Sequence, residues 1–221
     1  MLEIRKWRAA LCFLAVVSVC VTSYVALDRR AAFFCAALGP GTKEIFGLLT
    51  RLGISTPYLV AALAGLVYFR FIGKNRELAN VAAFLFLAVA LSGLANDLIK
   101  VLVGRSRPGL LLSHGFYGFK PFTSKYMYAS FPSGHSNTIG SFCYGLYLVA
   151  DRFALALLFI ALAVMASRVV VGAHFPSDVL FGAYLGVVIT GLLAEGFEKK
   201  GLKIRGRLRM SHSQGSKDLA R

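Results

Sequence analysis

The stretch LANVAAFLFLAVALSGLANDLIKVLV, residues 78–103, is apolar for most of its length. A helix needs about 20 mostly apolar residues to cross the hydrocarbon core of a bilayer, so this stretch predicts a membrane span. Asp97 and Lys100 lie near its end, and membrane proteins keep such charges only where they are paired or functional. The stretch therefore predicts a membrane fold and a candidate site at its C-terminal end.

The rest of the chain has the same character. It is 57% hydrophobic and only 16% charged, with a mean hydropathy of +0.67, which favours a bilayer over water as its solvent. Five further segments qualify or nearly qualify as spans: residues 9–27, 57–72, 136–150, 153–171 and 177–197. The predicted fold is all-α, with six transmembrane helices. The first segment is interpreted as a retained helix, since no clean signal-peptide cleavage site follows it.

Between the first two predicted spans, Ile45, Leu48, Leu49 and Leu52 recur at helical spacing in a segment opened by Thr42. This pattern predicts a short helix lying at the membrane interface. The four cysteines, Cys12, Cys20, Cys35 and Cys143, form no C-x-x-C pair and are interpreted as small apolar residues.

The basic residues predict the orientation. With the N-terminus inside, 15 of the 25 Lys and Arg residues fall on the inside, which favours both termini in the cytoplasm. The net charge of +15 is distributed between apolar runs and a tail instead of forming one stripe, so no nucleic-acid partner is expected. We predict a membrane domain over residues 1–198 and a basic cytoplasmic tail over residues 199–221, with a basic stretch from Lys199 to Arg209.

Three polar clusters lie at span ends, and the six-span topology places all three on the outer face. The first is Lys100 with Arg107-Pro108, the second is Pro132-Ser133-Gly134-His135, and the third is Ser167-Arg168, His174 and Asp178. Their convergence predicts a single site.

The residue types in these clusters suit a tetrahedral anion. Lys100, Arg107 and Arg168 supply three cations, and arginine binds phosphate through a planar fork. Gly134 lets backbone N–H groups approach phosphate oxygens, and the hydroxyl of Ser133 can donate. Lys100 and Arg107 share a helical face if their helix continues that far.

Two histidines and a carboxylate supply the chemistry. His174 and Asp178 are four residues apart, so the carboxylate is predicted to hydrogen-bond one ring nitrogen of His174 and leave the other free to attack phosphorus. His135 is then predicted to protonate the departing oxygen and later to activate water. Each residue alone has a structural alternative, a hydrogen-bonding histidine or a cation that reaches the interface.

The three clusters resemble the signature of the type-2 phosphatidic acid phosphatase family, which reads K-x6-R-P, P-S-G-H and S-R-x5-H-x3-D. Every fixed position matches in this sequence. The resemblance implies a nucleophilic His174, an acid/base His135, and phosphate binding by the basic residues. It also implies a bacterial inner-membrane enzyme that acts on a lipid phosphate at the periplasmic face. Lipid A 1-phosphate, undecaprenyl pyrophosphate and phosphatidylglycerol phosphate are the candidate substrates.

The sequence leaves other functions open. A phosphotransferase that passes the phosphoryl group from lipid to lipid would use the same site. A six-span anion transporter would also place cations at helix ends, although the His174–Asp178 pair has no task there. No cofactor or metal ion is expected, because three cations already neutralise the phosphate and no H-E-x-x-H spacing is present.

Overall fold

A computed structural model gives the fold and describes residues 2–202 and 204. These residues form nine α-helices: α1 (Leu2–Ala26), α2 (Asp28–Ala36), α3 (Pro40–Leu49), α4 (Ser55–Val67), α5 (Arg76–Val103), α6 (Pro108–His114), α7 (Gly134–Val149), α8 (Ala154–Val170) and α9 (Pro176–Lys199). One isolated antiparallel bridge joins Arg105 to Phe119. The predicted all-α fold is confirmed.

Five helical segments in the described part are long and apolar enough to cross a bilayer: Trp7–Ala26, Pro40–Ile72, Arg76–Val103, Asp151–Val170 and Pro176–Lys199. The predicted fourth span corresponds to α7, whose 16 residues fall short of the ~17–25 of a spanning helix. Because α7 packs against α5, α8 and α9, it lies inside the helical bundle. A multi-pass membrane protein is confirmed, and the sixth span stays a prediction.

The predicted short helix between the first two spans is α3, which begins at Pro40 and continues into a 3₁₀ turn at Thr50–Gly53. Proline suits the first turn of a helix, where its missing N–H would have no intrahelical partner. The side chains of Ile45, Leu48 and Leu52 are exposed to the surroundings of the bundle. This face is apolar, so it can lie against lipid, and the interfacial position of α3 stays a prediction.

Both ends of helix α5 are well defined, and its C-terminal end positions the first polar cluster. The Asn75 side chain accepts hydrogen bonds from the N–H groups of Glu77 and Leu78, both at 3.1 Å, and caps the N-terminus. At the C-terminus Gly104 adopts a left-handed conformation with φ of 59°. A Cβ atom at Gly104 would lie 1.8 Å from the Lys120 carbonyl oxygen, so only glycine lets the following loop return against the helix end.

Helices α7 and α9 touch through their backbones. A Cβ atom on Gly186 would lie 2.4 Å from the Asn137 carbonyl oxygen, and one on Gly182 would lie 2.5 Å from that of Ser133. Gly140 meets Ala183 of α9 in the same way, at 2.8 Å from its carbonyl oxygen. Small residues at such a contact allow close packing of membrane helices. The second and third clusters, at the N-termini of α7 and α9, are thereby held together.

The far end of the bundle closes with an apolar cluster of Phe84, Val149, Ala194 and Ile204, all nearly inaccessible. The sequence assigns Ile204 to the tail, but its side chain belongs to this core. Lys203 and residues 205–221 of the predicted tail, and the N-terminal residue, lie outside the described residues.

Candidate active site

His174 lies in the short connection between α8 and α9, and its side chain is only 3% exposed. The N–H groups of Ala173 and His174 both donate to the Arg168 carbonyl oxygen at 3.1 Å, which fixes the connection to the end of α8. The ring atom Nδ1 lies 2.7 Å from the Ser130 carbonyl oxygen. Because a carbonyl only accepts, Nδ1 carries the hydrogen, and the lone pair is on Nε2. This is the tautomer that a nucleophilic imidazole requires.

Asp178 does not make the predicted hydrogen bond to His174. The distance from Nδ1 to Oδ2 is 3.7 Å, beyond hydrogen-bond range. The carboxylate instead accepts from Arg105 Nη1 at 2.5 Å, from Ser130 Oγ at 2.6 Å, and from the N–H of Phe175 at 2.9 Å. Asp178 therefore acts on His174 through Ser130, whose hydroxyl it binds and whose carbonyl orients the ring.

Burial lowers the pKa of His174 to about 4. Asp178 opposes this shift, since a nearby carboxylate favours the protonated ring, whereas Arg107 and Arg168 add to it. A ring with this pKa is neutral at physiological pH and keeps its Nε2 lone pair.

A buried charge cluster lies behind His174 and was not predicted from the sequence. We call it the Arg105 cluster; it consists of Asp28, Arg105, Tyr117, Ser177 and Asp178. Arg105 Nη2 donates to Asp28 Oδ2 at 2.7 Å and contacts Tyr117 Oη at 3.0 Å, while its Nη1 binds Asp178. Asp28 also accepts from the backbone N–H of Ser177 at 3.1 Å. Burial alone would lower the pKa of Arg105, but the two carboxylates raise it, so the guanidinium stays charged.

One sequence signal could have revealed this cluster. Asp28 follows the first apolar segment directly, and a carboxylate at such a place is expected to have a partner. That partner, Arg105, is 77 residues further along the chain, and no local spacing connects the two.

Arg107 is held rigidly at the site. Its Nε donates to the Tyr126 carbonyl at 3.0 Å, Nη1 to that of Ala173 at 3.0 Å, and Nη2 to that of Ala129 at 3.1 Å. Its guanidinium also stacks on the Tyr126 ring at 4.0 Å. A guanidinium has five N–H donors, so two remain for a ligand. Since α5 ends at Val103, the predicted helical face shared by Lys100 and Arg107 does not exist; the loop brings Arg107 to the site instead.

Arg168 and Lys100 reach the site from the ends of α8 and α5. Arg168 Nη1 donates to Thr50 Oγ1 at 2.6 Å, and its buried Nε has no partner among the residues described. Lys100 pairs with Asp97 at 3.3 Å. Its Nζ would lie 3.6 Å from a Cβ atom on Gly134, so the ammonium borders the start of α7.

Ser133 caps α7. Its Oγ accepts from the N–H of Ser136 at 3.4 Å and from Ser136 Oγ at 3.0 Å, and its own hydroxyl hydrogen is used in neither contact. The N–H of Ser133 donates to the Asp178 carbonyl at 3.0 Å, which ties the second cluster to the third. The hydroxyl is consistent with the predicted donor role.

His135 packs against Gly53, in the turn between α3 and α4. A Cβ atom on Gly53 would lie 2.6 Å from His135 Cβ, closer than real contacts allow. Thr50, the partner of Arg168, belongs to the same turn. This turn therefore supports two site residues, although the sequence pattern indicates only an interfacial role for the segment.

The structure thus brings the three predicted clusters to one end of the bundle. Lys100 borders Gly134, Ser133 is bonded to Asp178, and Arg107 and Arg168 both bind the connection that carries His174. Oriented cations beside a neutral, buried imidazole have the chemistry to bind a tetrahedral anion and to offer it a nucleophilic nitrogen.

Comparisons with known proteins agree with this geometry. Residues 81–201 match the PAP2 superfamily. The chain is 31% identical over 208 residues to a lipid A 1-phosphatase of Rhizobium johnstonii, covering 89% of this chain and 83% of the relative. It is 30% identical over 207 residues to a lipid A 1-phosphatase of Rhizobium etli, covering 89% and 88%.

Two solved structures share the fold. The transmembrane PAP2-type phosphatidylglycerolphosphate phosphatase of Bacillus subtilis has a TM-score of 0.61 at 25% identity, covering 85% of this chain and 94% of that one. LpxE of Aquifex aeolicus has a TM-score of 0.57 at 22% identity, covering 77% and 96%, and supports the fold alone. The chain belongs to the PAP2 superfamily. It is a membrane-embedded lipid phosphate phosphatase, and the predicted family is confirmed.

Proposed function

We propose that the chain hydrolyses the phosphomonoester of a glycolipid 1-phosphate of the lipid A type through a phosphohistidine on His174. The substrate class rests on two relatives named lipid A 1-phosphatase that align over most of both chains. The mechanism rests on one observation: Nδ1 of His174 is engaged by the Ser130 carbonyl, so Nε2 carries a free lone pair.

In the first step the Nε2 lone pair forms a bond to phosphorus as the bond from phosphorus to the sugar oxygen breaks. The departing oxygen takes a proton from His135. Burial and the nearby Arg168 lower the pKa of His135 to about 4, so the ring must take up this proton when the negatively charged phosphate group binds beside it. Arg107, Arg168 and Lys100 stabilise the charge that spreads over the phosphoryl oxygens. Because Arg107 and Arg168 are fixed by protein oxygens beforehand, little reorganisation accompanies the reaction.

In the second step His135, now neutral, takes a proton from water. The water oxygen attacks phosphorus, the N–P bond breaks, and its electron pair returns to Nε2. Inorganic phosphate leaves and His174 is again neutral. The Arg105 cluster contains two carboxylates and one guanidinium, so it carries one net negative charge behind a ring that is cationic while phosphorylated.

The test uses purified protein in detergent and ³²P-labelled lipid A 1-phosphate. An alkaline quench should trap base-stable, acid-labile label on the wild type and none on His174→Ala, with His114→Ala, an exposed histidine, as the control. We expect phosphate release to persist in EDTA and to be inhibited by vanadate. Release by His174→Ala at the wild-type rate would rule out the covalent route, and strict dependence on added Mg²⁺ would rule out a metal-independent one.

We also place the enzyme in the inner membrane, with both termini in the cytoplasm and the site facing the periplasm. The distribution of Lys and Arg supports this orientation. The site then meets lipids of the outer leaflet at the level of their headgroups.

A further inference from the structure

A cavity of about 450 Å³ opens beside the phosphate site, between α4, α5 and α7. Cavities of roughly 300–1,000 Å³ accommodate small organic ligands, so this one is larger than a phosphate group needs. His135 and Gly134 form its wall on α7, and Asn96 and Asp97 lie on its α5 side. It continues along apolar side chains that include Leu59, Val89 and Leu94. The cavity is therefore polar beside the catalytic residues and apolar further along.

Asn96 stands out among the residues that line it. Its side chain is 1% exposed, and neither Nδ2 nor Oδ1 has a hydrogen-bond partner in the described part of the chain. Asn137, buried in the same wall, is satisfied: with its amide suitably oriented it donates to Ser92 Oγ at 3.1 Å and accepts from the N–H of Gly186 at 3.2 Å. Leaving a buried amide unpaired costs free energy, so Asn96 is a candidate for pairing with a ligand.

The position of Asn96 indicates which part of the ligand it would meet. Its Nδ2 would lie 3.7 Å from a Cβ atom on Gly134, next to the turn that borders Lys100. An ionised phosphate oxygen only accepts, so it would leave Oδ1 of Asn96 unpaired. A hydroxyl or an amide both donates and accepts, so such a group could satisfy both atoms.

The position of His135, the proposed general acid, indicates which way the substrate extends from the phosphate site. His135 must contact the oxygen that leaves phosphorus, and His135 forms a wall of this cavity. The group attached to that oxygen therefore extends into the cavity and passes Asn96 before the apolar part.

We propose that this cavity binds the leaving group of the substrate and that Asn96 is a specificity-determining residue. It would hydrogen-bond a hydroxyl or amide within a few bonds of the phosphorylated oxygen, as a sugar 1-phosphate presents. This inference rests on the proposed function and names the part of the substrate that is recognised. A site built to pair with such a group discriminates strongly against an analogue that lacks it.

The test compares two substrates on one purified protein: lipid A 1-phosphate, and farnesyl phosphate, which has no hydrogen-bonding group beside its phosphate. Asn96→Leu removes the amide at similar volume, and Asn96→Ala serves as a second variant if leucine disturbs folding. Both should lower kcat/KM for the glycolipid at least about 10-fold and leave farnesyl phosphate within about 3-fold or improved, since an unpaired amide is no longer buried. Asn80→Leu, half-buried on the same helix, is the matched control.

An equal loss on both substrates in both variants would overturn the inference, because Asn96 would then serve the phosphate or the fold. An unchanged ratio would overturn it as well. If the wild type releases phosphate from neither compound, the proposed function fails, and this inference fails with it. Hydrolysis of both by the wild type with no effect of Asn96 refutes the inference alone.

Discussion

Arg105 and Asp178, 73 residues apart, form a buried ion pair directly behind His174, with Nη1 and Oδ1 2.5 Å apart. Asp28 holds the other end of the guanidinium, so one arginine separates two buried carboxylates. The exposed fractions of Arg105 and both aspartates are 2% or less. Removing one partner of such an arrangement leaves charge buried without compensation, which is costly.

Arg105→Met should therefore destabilise the protein by about 3–5 kcal/mol, measured by unfolding in detergent. The double variant Asp28→Asn/Arg105→Met restores the net charge of the cluster and should recover part of that loss. Arg30→Met, an exposed arginine on α2, should have little effect. A double variant less stable than Arg105→Met would show that the repulsion between Asp28 and Asp178 is not the cause.

Gly53→Ala should slow the reaction about 100-fold, because the new methyl group displaces His135 and misplaced catalytic groups lose about that factor. The measurement is kcat on lipid A 1-phosphate. Gly47→Ala on α3 is the control, since a Cβ atom there meets nothing within 4 Å. Equal activity of the two variants would contradict the supporting role assigned to this turn.

Arg107→Lys should lower kcat/KM about 10²–10³-fold although the charge is kept. Lysine cannot bind the carbonyls of Tyr126, Ala129 and Ala173 together, and it presents no planar fork. Arg51→Lys, an exposed arginine in the adjoining turn, should be close to wild type. Comparable kinetics for Arg107→Lys would mean that charge alone suffices at this position.

His174 should titrate near pH 4, well below the ~6.5 of an unperturbed imidazole. NMR of ¹⁵N-histidine-labelled protein checks this, with His174→Gln to assign the resonance. Between about pH 6.5 and 4 the unfolded chain binds a proton that the folded chain does not, so stability should fall as the pH falls through this window. A His174 resonance that titrates near 6.5 would contradict the burial argument.

Sidedness is tested by labelling after Cys12, Cys20, Cys35 and Cys143 are replaced. An impermeant thiol reagent on intact spheroplasts should label Ser113→Cys, which is exposed near the C-terminal end of α6. It should spare Gln214→Cys in the tail, a position outside the described residues. The reverse pattern would place the site in the cytoplasm.

Local sequence patterns predicted the parts of this molecule that depend on local physics. The helix over residues 78–103 was expected from its apolar length, and α5 spans Arg76–Val103. Counting the predicted spans assigns each helix end to one side of the membrane. This count predicted that the polar clusters lie at the same end of the bundle. The residues that bind each other through the fold were not predictable in this way: Asp28 with Arg105, Gly53 with His135, and Thr50 with Arg168.

The Asp178 error has the same origin. The four-residue spacing correctly predicted that the carboxylate of Asp178 lies near His174. Spacing alone does not show which other hydrogen-bond donors compete for that carboxylate. Arg105, Ser130 and the Phe175 N–H occupy its oxygens in the structure. The sequence spacing identified Asp178 as a neighbour of His174 but not Ser130, which connects the two in the structure.

The glycine contact between α7 and α9 has a consequence for how the enzyme can change. His135 lies at the start of α7 and His174 just precedes α9, so the distance between these two histidines depends on the backbone contact between the helices. At Gly140, Gly182 and Gly186 any added side chain would collide with the backbone of the facing helix, so substitution there cannot adjust this spacing by degrees. Substitutions that adapt the enzyme to a new lipid are therefore expected in the cavity walls formed by α4 and α5. Side chains there can be exchanged while the spacing of the two histidines is preserved.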